Sequence, residues 1–166
     1  MTGRSFFAAA IWLVCMVKVS AGQQATAAPE HDHEKMMERG QKGMGFSQSA
    51  TTHHFLLKKD GGVIQVTAND PKDTGTRDEI RMHLQHITQL FSAGDFEIPM
   101  FIHDQAPPGA AEMKQLKSEI HYAYAEIPDG AKVIMTSGNA AAVSAIQKFL
   151  RFQIEEHQTH DPETVK

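Results

Sequence analysis

Cysteine is nearly absent from this sequence: Cys15 is the single one, and Trp12, close by, is the single tryptophan. Both fall in an apolar run over residues 6–17, which follows Arg4 and precedes the small residues Val19, Ser20 and Ala21. A positive start, an apolar centre and small residues before a cut are the order of a secretory signal peptide. At 12 residues the run is short of the roughly 20 needed to span a bilayer, and Gln23, Gln24 and Glu30 follow soon after. A stable membrane anchor is not expected. The residues before Cys15, Trp12-Leu13-Val14, lack the small side chain found beside a lipidated cysteine. Cleavage near Ala21 would leave a chain without any thiol, which excludes disulfides, cysteine zinc sites and cysteine nucleophiles. The expected destination is the periplasm or the exterior.

Basic excess is lacking too. Removing Arg4 and Lys18 from 16 basic residues leaves 14 against 20 acidic ones, so the chain has no electrostatic footprint for nucleic acid. Local catalytic signatures are missing as well: there is no His-Glu-x-x-His zinc helix, no Gly-x-Ser-x-Gly elbow, no phosphate loop and no Gly-x-Gly-x-x-Gly fingerprint. About 145 residues remain after the leader, enough for one domain with its own core.

The residues present divide the chain as follows: leader 1–21, a His/Met-containing flexible arm 22–50, one domain 51–161 and a tail 162–166. The arm lacks a sustained apolar period, and a short helix near residues 29–39 would have little to pack against. Residues 52–57 and 63–68 are β-rich runs around Asp60-Gly61-Gly62, a turn that supplies positive φ angles. Thr76-Arg77-Asp78-Glu79 reads as a capping box for a helix with stripe Ile80, Leu84, Ile87 and Phe91, ending at Gly94. A short apolar segment around Pro99 to Ile102 leads to a loop with His103 and Asp104. A second helix, with Met113, Leu116 and Ile120 on its buried side, is expected after Pro107-Pro108-Gly109. Residues 121–126 and 131–136 form another hairpin around Pro128-Asp129-Gly130, and Asn139 caps a last helix to about His157. Aligning Gly61 with Gly130 superposes the two hairpin-helix units, a possible duplication. The fold class expected is α+β: an antiparallel four-stranded sheet from two hairpins, covered by helices.

Ten histidines and seven post-leader methionines make up the notable excess. Imidazole suits copper, zinc and nickel, and thioether sulfur favours Cu(I), so a thiol-free His/Met-rich chain has donors for copper first and zinc second. His31 and His33 lie on the arm near Met36, Met37 and Met44. His83 and His86 are three apart on the first helix, where successive turns bring side chains together. His53 and His54 point to opposite faces of a strand, so one of the pair can face the helices. His54 and His121, at the starts of the two hairpins, complete the metal candidates with His103. His157 and His160 are equally explained by the favourable field at a helix C-terminus. His103, on a loop beside Asp104, is the best single functional histidine, and an acid/base role in a small hydrolase or transferase is the alternative to metal binding. The Asp70 and Asp73 turn is an ordinary strand-to-helix connection. Phe149 and Phe152 fall outside the last helix's main stripe. That helix is therefore either buried on two sides or a surface for a homodimer or other partner, which gives a third reading, a structural interaction module.

The runs MGFSQ (44–48), TTHHF (51–55), GGVIQV (61–66), PPG (107–109) and FLRFQIEEH (149–157) resemble an uncharacterised family of small exported bacterial proteins with a His/Met-containing leader. The resemblance spans about residues 44–161 and implies export and fold more than function. Members of that family sometimes carry the label aspartate carbamoyltransferase. This chain lacks the Ser-Thr-Arg-Thr phosphate loop of such enzymes, is far shorter than their catalytic subunit, and its leader would part it from carbamoyl phosphate.

Overall fold

A computed structural model describes residues 30–165, with side chains of the first helix described from residue 34 onward. The leader and the start of the arm lie outside the described residues. The elements are α1 (Glu30–Met44), β1 (Thr51–Lys58), β2 (Gly61–Ala68), α2 (Thr74–Ala93), α3 (Glu97–His103), α4 (Ala110–Gln115), β3 (His121–Ile127), β4 (Gly130–Thr136) and α5 (Ala140–Glu156). The class is α+β, with both hairpins in one antiparallel sheet of order β1-β2-β4-β3.

The second strands of the two hairpins meet in the middle, and their register carries a local two-fold. Ile64 pairs with Val133, Gly61 with Thr136 and Thr67 with Gly130. Only the central pair, Ile64 with Val133, is also an equivalence of the alignment that superposes Gly61 on Gly130; that alignment matches Gly61 with Gly130 and Thr67 with Thr136, which the two-fold about the central pair interchanges. Gly61 and Gly130 are also alike in their surroundings: a Cβ on Gly61 would run into the Met135 carbonyl, and one on Gly130 into the Val66 carbonyl. Each hairpin's own helix crosses over to the other hairpin, α2 resting mainly on β3 and β4 and α5 on β1 and β2. Strand alternation turns Phe55, Leu57, Ile64, Val66, Val133 and Met135 inward to meet Ile80, Leu84, Ile146 and Leu150.

Four sequence expectations change. The helix expected from the Thr76 box instead begins at Thr74, because the Asp73 carboxylate takes the cap and accepts from the Thr76 N–H at 3.0 Å; Gly94, at φ 80°, ends it as expected. The segment before His103 is helical, not a loop. Pro99 sits in the first turn of α3, where its missing N–H has no intrahelical acceptor to lose. The helix expected through Ile120 stops at Gln115, and a tight 3₁₀ turn over Lys117–Glu119 completes the approach to β3. The described part of the arm is also not free. Glu30–Met44 is helix, Met36, Met44 and Phe46 are buried, and the Arg39 side chain donates to the Ile102 carbonyl at 2.8 Å. The partner the sequence did not reveal for this helix is α3.

Phe149 is 1% exposed and meets Phe91 and Phe96 with ring centroids 5.7 and 5.9 Å apart. Phe152 is half-buried, edge-on to His103. α5 is therefore buried on two sides, since α4 packs against it in addition to the sheet, and Phe149 is not on a surface that a partner could reach.

Candidate histidine-lined cavity

A cavity of about 60 Å³ lies between the sheet and the helices. Its floor is β1 and β2, through Phe55, Ile64 and Val66. α2 and α5 form the sides, α3 contributes Ile98, Pro99 and Ile102, and Met44 at the end of α1 closes one edge. Four imidazoles reach it from four elements: His53 from β1, His83 from α2, His103 from α3 and His157 just after α5. No acidic side chain is among the lining residues.

The placement follows from local periodicity. His53 shares strand parity with Phe55 and Leu57, which point inward, so it points inward too. His83 stands one residue before Leu84 on the inner side of α2, and His157 extends the line of Leu150 and Ile154. The rings of His53 and His157 are stacked, 5.4 Å apart and 12° from parallel, and His103 stands edge-on to His157 at 5.2 Å. Phe46 stacks against His53 at 6.2 Å and turns its edge to His83 at 5.6 Å.

Burial keeps two of the rings, His53 and His83, uncharged near neutral pH. Burial, with smaller contributions from His83 and His54, pushes His53 down to about 4. Burial, followed by His86, pushes His83 down to about 4 as well. His53 Nε2 is buried and has no hydrogen-bond partner, and the same holds for Nε2 of Gln153, a lining residue from α5. A buried polar atom left unpaired costs on the order of 1–3 kcal/mol, and roughly 10–15 Å³ accommodates one water. The space thus has room for a few waters or a ligand of a few atoms, beside two groups that lack a partner.

His103 is 6% exposed and differs from the other three. Its Nε2 lies 3.0 Å from Gln153 Oε1 and its Nδ1 3.3 Å from Glu156 Oε2. Burial lowers its pKa, and Gln153 and Glu156 oppose that shift without reversing it. A neutral imidazole can donate to only one of those oxygens. With both nitrogens facing protein groups, His103 has no nitrogen directed at a substrate, which weakens the acid/base reading.

The remaining sequence candidates are not brought to the cavity. His86 is exposed on the outer side of α2, and His121 is exposed on the edge strand β3. His54 faces away from the helices; its Nδ1 is 2.9 Å from Asp161 Oδ1, while Asp161 Oδ2 accepts the Phe55 N–H at 2.9 Å. Burial pushes the Asp161 carboxyl up, but the Phe55 N–H, the Thr159 hydroxyl and His54 together hold it below its ordinary value. That contact ties the chain after α5 to the edge of β1. His31 and His33 lie on α1, but their side chains are outside the described ones. Of the pairs expected from spacing, His83 and His86 diverge, because three residues on a helix turn through about 300° and leave them on either side of the buried boundary. Sequence reasoning named His54 and not His53 among the metal candidates and explained His157 by the helix end; the parity of Phe55 and Leu57, and the Leu150–Ile154 line that His157 continues, are the signals that place them.

Among the described residues, no three His, Cys, Asp or Glu side chains are grouped so as to hold a metal ion together. No helix among them is long and apolar enough to cross a membrane. No family model, curated protein or solved structure matches this chain.

Proposed function

We propose that this chain is an exported binding module, periplasmic or secreted, that holds a transition-metal ion, copper foremost, in the cavity between α2, α3, α5 and the sheet. The observation that carries this reading is the convergence of four imidazoles and the Met44 thioether on one apolar space, with His53 Nε2 buried there and unpartnered. Imidazole coordinates only when neutral, and burial keeps His53 and His83 neutral well below pH 7. The donors come from four elements on a packed core, so little chain entropy is lost on binding, whereas a free arm would lose roughly 1–2 kcal/mol per residue ordered. His103, held by Gln153 and Glu156, meets His157 edge-on at 5.2 Å. With no three-imidazole group preset, binding requires side-chain rotation in the cavity or an ion content with few donors.

The test is equilibrium titration of the purified protein with Cu(I), Cu(II) and Zn(II), set against His53→Phe/His83→Phe and, as a control, His86→Ala/His121→Ala. The cavity pair of substitutions is expected to weaken binding at least a hundredfold and the surface pair to leave it unchanged. Binding that survives the first pair and disappears with the second would refute the assignment.

A further inference from the structure

We infer that the ion is taken as Cu(I), in a low-coordinate site made by His53, His83 and the sulfur of Met44, so that α1 supplies the residue that selects the oxidation state. This rests on the metal-binding reading of the cavity. Met44 is the last residue of α1 and is buried against the domain, and it lines the same space as the two imidazoles. Phe46, two residues on, contacts both rings and fixes this stretch over them.

The charge of the ion decides between candidates. No carboxylate or thiolate lines the cavity to offset a cation, and the cost of moving an ion out of water rises with the square of its charge. A divalent ion therefore meets roughly four times the desolvation cost of a monovalent one, with only neutral donors to compensate. Donor softness acts in the same direction, because a thioether favours Cu(I) over Zn(II). Donor number does so again: Zn(II) takes four ligands in structural sites and no group of three His, Cys, Asp or Glu is in place among the described residues, while Cu(I) is content with two imidazoles and one sulfur. His53, whose Nε2 is buried without a partner, lines the cavity.

The experiment is competition for Cu(I) against bicinchoninate under anaerobic conditions, with parallel Zn(II) titration, on the wild-type protein and on Met44→Leu. Leucine keeps the volume and the helix, so the core is retained. The expected result is one Cu(I) per chain, held at least a hundredfold more tightly than Zn(II), and a loss of tenfold or more in Cu(I) affinity in Met44→Leu with no change toward Zn(II). X-ray absorption of the copper-loaded wild type gives a second readout, with sulfur in the first coordination sphere expected. Equal affinity for Zn(II), or a copper sphere of nitrogen and oxygen only, overturns the Cu(I) assignment while leaving a metal site in the cavity. A protein that binds none of these ions overturns both.

Discussion

Acidification from pH 7 to pH 5 is expected to destabilise the metal-free protein by several kcal/mol, chiefly through two histidines. His53 and His83 both fall from an ordinary 6.5 to about 4 in the folded chain. Between those values the unfolded chain takes up a proton that the folded chain refuses, so stability rises with pH across that window and is lost as pH falls. Above about 6.5 both states are neutral and neither ring contributes; below about 4 both states are protonated and the loss is complete. At pH 5 the loss is about 2 kcal/mol for each ring, growing to roughly 3 kcal/mol near pH 4. Mutual repulsion between the rings prevents simple addition, yet even one such loss is a sizeable part of a typical 5–15 kcal/mol. The carboxylates held low, Asp73 and Asp161, lose their contributions only at more acid pH, so the interval from 7 to 5 isolates the histidines. Urea unfolding in the presence of a chelator should show the midpoint falling steadily over this interval. His53→Phe should flatten the dependence in part, with His83 and the likewise lowered His103 carrying the rest. A midpoint independent of pH between 7 and 5 would refute the buried, neutral placement of these rings.

Further expectations follow from particular packing. Phe149→Ala should cost about 3–5 kcal/mol, the range for deleting a buried aromatic ring, with no change in oligomeric state; a changed assembly at undiminished stability would restore the interface reading of α5. Gly130→Ala should destabilise by on the order of 1–3 kcal/mol, because its Cβ would be driven into the Val66 carbonyl of the neighbouring strand, and thermal unfolding measures it. Export predicts that mature protein begins at or near Gly22, which mass spectrometry of the secreted or periplasmic form checks; intact Met1 chain confined to the cytosol would end that part of the account.

Much of this architecture was legible because its signals are local. Asp60-Gly61-Gly62 and Pro128-Asp129-Gly130 mark two turns, the stripe from Ile80 to Phe91 marks α2, and Asn139 caps α5 with its side chain accepting the Ala141 N–H at 2.9 Å. The parts that were missed depend on distant partners. Met36, Met44 and Phe46 look like a sparse arm in sequence and become core residues because α3, some sixty residues on, packs against α1 while Phe46 meets His53 and His83. The segment from Pro99 to Ile102 was too short to show a helical period, so His103 read as a loop residue although it closes α3. The site shows the same division. His83 and His103 were among the candidates, whereas His53 and His157 belong to the cavity through strand parity and helix phase, and no spacing motif links residues drawn from four elements.

The proposed placement of a metal ion between β1 and α2 is open to anomalous diffraction at the copper absorption edge from copper-loaded crystals. A single strong peak is expected inside the cavity, next to His53, His83 and Met44. A peak instead at His86, at His121 or beside His31 and His33, with the cavity empty, would contradict it.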